Sequence, residues 1–307
     1  MTEGMGDIAG GEFVMGSDDH YPEEAPAHRA RVDDFWIDET PVTNAEFARF
    51  VAATGWVTLA EQAPDPADYP GILPGMIQAG SLVMRKPPGP VPMHDFTQWW
   101  GFVFGAHWRA PKGPGSDLAG LADHPVVHIA YADAEAYAAW AGKALPSEAE
   151  FEYAARGGLE GVAYAWGSEL APEGAMLANY WQGEFPWQNL ALDGYEGTSP
   201  VRAYPANGYG LYDLIGNVWE WTSDWYADRH PGKKQDSCCI PRNPRGPQVE
   251  GSFDPCQPDV RIGRKVLKGG SHLCAENYCQ RYRPAARYAQ PIDTSTGHVG
   301  FRCVKRG

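Results

Sequence analysis

The chain has 307 residues and a formal net charge of −14, from 39 acidic and 25 basic side chains. Nucleic acids and anionic membranes attract basic patches, so this charge argues against both as partners. Aromatic residues make up 12% of the chain, which excludes a disordered polymer, while 36 Gly and 27 Pro residues predict much irregular backbone. The chain shows no signal-peptide pattern and no window long enough to span a membrane, so we expect a cytoplasmic protein with reduced thiols.

Two strands and a helix are predicted in the first part of the chain. Residues 8–16 predict a glycine turn followed by a short strand, and the partial alternation over 29–37 predicts a second strand. Thr43 is followed three residues later by Glu46, which is the pattern of a helix capping box. This pattern predicts a helix that ends near Gly55.

The middle of the chain mixes irregular and helical segments. Residues 60–123 show no period, and we expect a long, packed, irregular region there. The apolar run 124–129 predicts a short strand. Asp133 is a candidate cap for a helix that ends at Gly142, and a second capping box predicts a helix over 147–155.

No repeat, low-complexity tract or linker divides the chain. We therefore predict a single compact α+β domain over residues 1–307, with little regular secondary structure. The Pro-rich stretch 231–248 is the best candidate for a mobile surface loop. It contains Cys238 and Cys239, which together with Cys256 could form a three-thiol metal site; the alternative is that they are ordinary surface-loop residues.

Two of the six cysteines, Cys274 and Cys279, lie five positions apart in a polar and aromatic run. In a regular helix or strand their side chains would point apart, so their sulfurs can meet only if the backbone bends. A bent segment with two thiols is a candidate for redox chemistry or for a soft metal ion. The alternative is two unrelated buried thiols, since free cysteine is commonly buried. A cysteine hydrolase that uses His298 is a further alternative that the spacing does not single out.

Two sets of oxygen-bearing residues could bind Ca²⁺, which prefers carboxylates, amide oxygens and backbone carbonyls. The first set contains Asn179, Tyr180, Asp193 and Tyr195. The second set contains Asp213, Gly216, Val218 and Glu220. Turns and helix caps use the same residue types, so the alternative is ordinary loop structure. No dinucleotide or phosphate-loop motif is present, which argues against a nucleotide cofactor.

Short motifs in a fixed order carry a family resemblance. They occupy residues 10–16, 41–44, 124–126, 145–150, 208–212, 216–221, 269–271 and 300–303. In this order they resemble the formylglycine-generating enzyme family, also called the sulfatase-modifying factor family. The resemblance covers nearly the whole chain and implies a C-type-lectin-like fold. Its most specific part is the two-cysteine segment 274–287, because relatives without the cysteine pair are not expected to have the activity.

The resemblance implies a copper-dependent oxidase. Cys274 and Cys279 would bind one Cu(I), and a substrate cysteine in a Cys-x-Pro-x-Arg segment of an unfolded sulfatase would be the third ligand. With O₂ as co-substrate, a hydrogen would be removed from the substrate Cβ. The resulting thioaldehyde would hydrolyse to Cα-formylglycine with loss of sulfide.

The resemblance also implies roles for residues around the cysteines. Ser271 and Trp219 would border the pocket, and Ser271 would act with the two cysteines. Arg287 would shape the polar floor. His298 stands where many members carry Asn, and its imidazole can still donate a hydrogen bond. Each oxygen-bearing set would hold one structural Ca²⁺.

Departures from the animal members indicate a bacterial type of enzyme. Ala138, Ala155 and Pro284 stand where three cysteines of the animal disulfides would be, so Cys303 is predicted to be a buried free thiol. We expect a monomer. Two alternatives share the fold: an iron-dependent relative that transfers sulfur, which would need a histidine cluster, and a non-enzymatic binding module.

Overall fold

The computed structural model describes residues 2–67, 71, 73–230 and 240–307, so Cys238 and Cys239 lie outside the described residues. The prediction of an α+β chain with little regular secondary structure is confirmed. The helices are α1 (Asn44–Thr54), α2 (Tyr131–Trp140) and α3 (Glu148–Arg156). The strands are β1 (Met5–Ile8), β2 (Gly11–Met15), β3 (His28–Val32), β4 (Phe35–Asp38), β5 (Gly80–Met84), β6 (Trp100–Phe104), β7 (Trp219–Trp225), β8 (Arg264–Lys268), β9 (Arg287–Pro291), β10 (Val299–Gly300) and β11 (Val304–Arg306).

The strands form four small sheets in the part of the chain that is described. The largest has the order β10-β7-β8-β9, in which β10 is parallel to β7 and the other pairs are antiparallel. A second sheet, β1-β4-β11, pairs strands from the two ends of the sequence. The pairs β2-β3 and β5-β6 are antiparallel hairpins. No described helix is long and apolar enough to cross a lipid bilayer.

The predicted helices are confirmed, and the two capping boxes form as expected. Thr43 Oγ1 accepts a hydrogen bond from the Glu46 backbone N–H at 3.2 Å, and Gly55 ends α1 in the left-handed conformation. The prediction for Asp133 is wrong in detail. Ala130 is the cap residue of α2, and the Asp133 carboxylate accepts a hydrogen bond from its N–H at 3.0 Å from inside the first turn.

Three strand predictions need correction. The segment 29–37 is two strands, because Asp33 and Asp34 interrupt it and the Asp33 N–H donates to the Asn243 side-chain oxygen at 2.9 Å instead of continuing the ladder. The run 124–129 is not a strand: its backbone makes one isolated bridge, and His128 has a φ of 61°, which ends extended pairing. The region 60–123 is not wholly irregular, since it contains the β5-β6 hairpin.

Buried aromatic residues hold the two-cysteine segment against the body of the domain. Trp99, Trp181 and Phe185 form a cluster with Leu273 and Ala275, which flank Cys274 in sequence. The Trp181 N–H donates to the Cys274 carbonyl at 2.9 Å. The first half of the segment is therefore fixed by the core.

His128 joins three distant segments through a buried hydrogen-bond network. Its Nε2–H donates to the Pro111 carbonyl at 2.8 Å, and its Nδ1 lies 2.7 Å from the Ser81 hydroxyl. The Ser295 hydroxyl lies 2.8 Å from the Ser81 hydroxyl. Burial lowers the pKa of His128 from 6.5 to about 4, because a charged imidazole would lose its hydration there.

Acid is expected to destabilise the fold through His128. Because its folded pKa lies below its unfolded value, the unfolded state binds the proton more readily, and stability is lost as pH falls from about 6.5 to about 4. Asparagine tolerates the left-handed backbone of this position. The His128→Asn variant should therefore lose about 3 kcal/mol less unfolding free energy than wild type over this pH range. Urea unfolding at pH 7 and pH 4 measures the difference. Equal losses in both proteins would contradict the assignment.

Candidate active site

The chain bends between the two cysteines and brings their sulfurs to 3.3 Å. The Cys274 N–H donates to the Ser271 carbonyl at 2.9 Å, and the Cys279 N–H donates to the Ala275 carbonyl at 2.8 Å. These two turns reverse the backbone on either side of Cys274. The predicted bend is confirmed, and the alternative of two unrelated thiols does not fit the contact.

The environment of the pair separates the acidities of the two thiols. The pKa of Cys279 is lowered to about 6 because its sulfur accepts a hydrogen bond from Cys274, and the Arg281 guanidinium at 3.7 Å adds to the effect. Burial raises the pKa of Cys274 well above its usual range. These opposite shifts favour a pair in which Cys274 keeps its proton and Cys279 is the thiolate, the form that reacts or binds a soft metal ion.

Ser271 lies directly beside the pair. Its hydroxyl oxygen accepts a hydrogen bond from the Leu273 N–H at 3.2 Å, and its own N–H points at the Cys274 sulfur at 3.4 Å. The residue is fully buried. The structure thus brings together all three residues that were predicted to be catalytic.

Trp219 begins β7, and His298 lies beside it in the turn just before β10. The Trp219 N–H donates to the His298 carbonyl at 2.9 Å. The His298 Nδ1 lies 2.5 Å from the Thr296 hydroxyl, and its ring centre lies 4.9 Å from that of Trp100. Burial lowers the pKa of His298 to about 3, so the ring is neutral near pH 7. The Trp219 ring faces the half-exposed Tyr288 at 5.8 Å.

Arg287 is engaged elsewhere. Its guanidinium makes a buried two-point contact with the Glu148 carboxylate at 2.7 and 2.9 Å. The same group donates to the carbonyls of Glu23 and Ala227. These contacts occupy its donors without involving the thiols, so its role as a pocket floor stays a prediction.

Arg281 is the neighbour of the thiols that the sequence reasoning did not single out. Besides Cys279, its guanidinium contacts the Glu23 carboxylate at 2.5 Å and lies 3.8 Å from the centre of the Tyr21 ring. Arg281 stands two positions after Cys279, which was the available signal. Tyr21 and Glu23 belong to a polar loop far away in sequence, and no sequence pattern indicated that they contact Arg281.

The donors at the cysteine pair suit Cu(I), although no group of three or more His, Cys, Asp or Glu side chains that could hold a metal ion occurs among the described residues. Cys274 and Cys279 offer two soft sulfur donors in contact, one buried and one partly exposed. Thiolates select Cu(I) over harder ions.

The first oxygen-bearing set has an unused ligand atom. The side-chain oxygen of Asn179 is buried and has no hydrogen-bond partner in the structure. The Asp193 carboxylate accepts hydrogen bonds from the Tyr195 N–H at 3.0 Å and from the Gln182 amide at 2.8 Å. That amide also contacts the Tyr180 carbonyl. Of the four expected ligands, Asn179 therefore has an oxygen that a cation would satisfy, while the Tyr180 carbonyl and the Asp193 carboxylate already accept hydrogen bonds.

The second set carries buried negative charge. Burial raises the pKa values of both Asp213 and Glu220, and the charge of Asp213 raises the pKa of Glu220 further. Glu220 accepts two-point hydrogen bonds from Arg302 at 2.8 Å. The Asp213 carboxylate accepts from the Arg202 N–H at 2.8 Å. A divalent cation fits the charge of this set, with Arg302 already neutralising part of it.

The chain is similar along its whole length to proteins of one known family. The family model described as Sulfatase-modifying factor enzyme 1-like domain matches residues 1–307. The formylglycine-generating enzyme of Mycobacterium tuberculosis is 51% identical over 97% of this chain and 96% of the relative. The enzyme of the same name from Streptomyces coelicolor is 46% identical, over 99% of this chain and 89% of the relative.

Two further matches bear on fold and on activity. The solved structure of PvdO from Pseudomonas aeruginosa has a TM-score of 0.61 and 25% identity, over 99% of this chain and 94% of that one. The Bos taurus protein named inactive Cα-formylglycine-generating enzyme 2 is 42% identical over 99% of this chain and 88% of the relative. Similarity along the whole chain is thus shared by relatives with different names.

Proposed function

The chain belongs to the sulfatase-modifying factor family, and from this membership we propose that it is an oxidase that converts a cysteine of a sulfatase polypeptide to Cα-formylglycine. Family membership alone does not decide activity, because a relative named inactive also matches. The observation that carries the proposal is the 3.3 Å contact between the sulfurs of Cys274 and Cys279.

The proposed reaction balances with O₂ and a thiol reductant. The substrate side chain changes from CH₂–SH to CHO, which breaks the C–S bond and one C–H bond and forms a C=O bond. O₂ accepts two electrons from the substrate carbon and two from the reductant. With two protons, the products are the aldehyde, hydrogen sulfide and one water molecule.

Cys274 and Cys279 would hold Cu(I), with the substrate thiolate of a Cys-x-Pro-x-Arg segment beside them. When bound, the ion supplies one-electron exchange with O₂, which thiols alone perform poorly. The hydrogen bond from Cys274 and the charge of Arg281 lower the pKa of Cys279, which favours the thiolate form that a metal ion needs. Arg281 keeps that negative charge in place with a donor at 3.7 Å.

The residues around the pair would orient the substrate. Ser271 has its hydroxyl within the turn that carries Cys274, where it can hydrogen-bond an oxygen species. Trp219 at the start of β7 and His298 just before β10 lie side by side, and we propose that both contact the substrate. The role proposed for Arg287 is to shape the pocket through its contact with Glu148.

Four described cysteines are free thiols, which supports a reducing compartment such as the cytoplasm. We also propose that the enzyme acts as a monomer. A single chain already contains every residue named for the site.

A peptide assay tests the proposed activity. A Cys-x-Pro-x-Arg peptide is incubated with the Cu(I)-loaded protein, O₂ and a thiol reductant, and its mass is followed. We expect the peptide to lose sulfur and two hydrogens and to gain one oxygen, and we expect the new group to react with a hydrazide. A matched peptide with Ser in place of Cys should keep its mass. An unchanged cysteine peptide would contradict the proposed function.

Calcium is expected to stabilise the protein through the first oxygen-bearing set. A ligand present at about a hundred times its Kd adds about 2.7 kcal/mol to the free energy of unfolding. Removal of Ca²⁺ with a chelator should therefore lower the Tm of wild type. Asn179→Ala, which removes the unpartnered oxygen, should lower the Tm in calcium and reduce the effect of the chelator. A chelator effect of equal size in both proteins would contradict this ligand assignment.

A further inference from the structure

We infer that a strap formed by Tyr21, Pro22, Glu23 and Glu24 positions Cys279 against Cys274, and this inference rests on the proposed function only for its catalytic consequence. The strap is a single 3₁₀ turn over Pro22–Glu24 with Tyr21 at its start. It lies across the second half of the two-cysteine segment, which is the part that follows Cys279. Its side chains contact that half at three positions, Gln280, Arg281 and Arg283.

The firmest contact of the strap is a buried ion pair. The Arg283 guanidinium donates two hydrogen bonds to the Glu24 carboxylate, with nitrogen–oxygen distances of 2.8 and 2.5 Å. Both side chains are almost completely excluded from solvent. Arg283 also donates to the Gln280 carbonyl at 2.8 Å, which fixes the backbone just after Cys279. A two-point contact between a guanidinium and a carboxylate restricts orientation as well as distance.

The second contact reaches the thiol itself. The Glu23 carboxylate accepts hydrogen bonds from Arg281 at 2.5 and 3.2 Å, and the Tyr21 ring covers the guanidinium at 3.8 Å. The Tyr21 hydroxyl accepts from the Gln280 N–H at 3.1 Å. Arg281 in turn points a donor at the Cys279 sulfur. Tyr21 and Glu23 therefore determine where that donor lies.

Cys274 is held by different groups. Its N–H bonds to Ser271, its carbonyl accepts from Trp181, and its neighbours Leu273 and Ala275 pack in the aromatic cluster. The two sulfurs are thus placed by independent parts of the fold, the core and the strap. Loosening the strap should move Cys279 relative to Cys274 and leave Cys274 in place.

The equilibrium between the dithiol and a Cys274–Cys279 disulfide measures this relative placement without metal or substrate. The whole protein is equilibrated with reduced and oxidised glutathione over pH 5 to 8, which gives the equilibrium constant for disulfide formation. The constants of wild type and variants are compared at the acidic end of this range, below the pKa of both thiols, so that ionisation does not contribute. Misplacement of reacting groups by about 1 Å can cost about a hundred-fold in effective concentration. We expect Glu23→Gln and Tyr21→Phe each to lower the constant by about ten-fold.

The matched control is Glu160→Gln, which removes an exposed carboxylate paired at 3.2 Å with Arg29, a residue near the strap in sequence. It should leave the constant unchanged within about two-fold. If Glu23→Gln fails to fold, Tyr21→Phe decides, because it keeps the ring and removes only the hydroxyl. A lowered Tm with an unchanged constant in the strap variants would show a purely structural role and overturn the inference.

Turnover of the peptide separates this inference from the proposed function. If both hold, the strap variants lose kcat/KM together with the dithiol constant, and the loss appears mainly in kcat. If wild type does not convert the peptide, the proposed function fails, but the glutathione equilibrium still tests the strap. Restoration of the constant in Glu23→Asp relative to Glu23→Gln would support the role of the carboxylate charge.

Discussion

Replacing Cys279 with Ser is expected to lower kcat/KM for the Cys-x-Pro-x-Arg peptide by about a thousand-fold or more. A serine hydroxyl stays protonated near neutral pH and is a hard donor, so the site would lose its thiolate and one of its two soft ligands. Cys274→Ser should be equally severe. Because the two sulfurs act as a unit at 3.3 Å, the double variant should be hardly worse than either single variant.

The control for these variants is Cys256→Ser. Cys256 is an exposed free thiol outside the pair, so its replacement should leave turnover unchanged. Titration of Cu(I) against a competing chelator gives an independent readout, in which both pair variants should lose tight binding and the Cys256 variant should keep it. Undiminished turnover in Cys279→Ser would contradict the role assigned to the pair.

Replacing Arg302 with Ala is expected to cost about 3–5 kcal/mol of unfolding free energy, because removal of one partner of a buried ion pair leaves the other charge uncompensated. Arg302 and Glu220 are both fully buried. Arg302 also donates to the carbonyl of Tyr212 at 2.9 Å. The remaining Glu220 carboxylate would lie near Asp213, whose charge already raises the pKa of Glu220.

Urea unfolding measures this loss, and Arg29→Ala is the matched control. Arg29 pairs with Glu160 on the surface, where half-exposed ion pairs contribute about 0–1 kcal/mol. If the second oxygen-bearing set binds Ca²⁺, added calcium should restore more stability to Arg302→Ala than to wild type, since the cation would neutralise the same carboxylates. A loss below 1 kcal/mol would show that the pair is not needed to balance the buried charge.

Local patterns predicted the helices well and the strands less well. The capping boxes at Thr43 and Ser147 are made within four residues, so the sequence contains all that determines them. The hairpin of Gly80–Met84 with Trp100–Phe104 depends on pairing across a Pro-rich connection, which has no local signature. His128 shows the opposite error, because an apolar run predicts a strand while one left-handed residue interrupts it.

The same distinction applies to the site. The spacing of Cys274 and Cys279 required a bend but could not show whether the sulfurs meet, since the bend is held by Trp181 and other distant groups. The family resemblance supplied the pairing, and the structure places the two sulfurs 3.3 Å apart. Arg281 lacked an assigned role because its partner Glu23 lies 258 positions away in sequence. Long-range ion pairs of this kind cannot be derived from periodicity or spacing.

The most direct test of the proposed oxidase is a comparison of peptide turnover with and without O₂. The Cu(I)-loaded protein, a thiol reductant and the Cys-x-Pro-x-Arg peptide are mixed in air-equilibrated or anaerobic buffer, and aldehyde, sulfide and consumed O₂ are measured together. In the presence of O₂ we expect aldehyde and sulfide in equal amounts. After subtraction of the O₂ that the reductant consumes in a control without peptide, one O₂ should be consumed for each aldehyde formed. No aldehyde should form anaerobically. Equal aldehyde formation in both buffers, or none in either, would contradict the proposed activity.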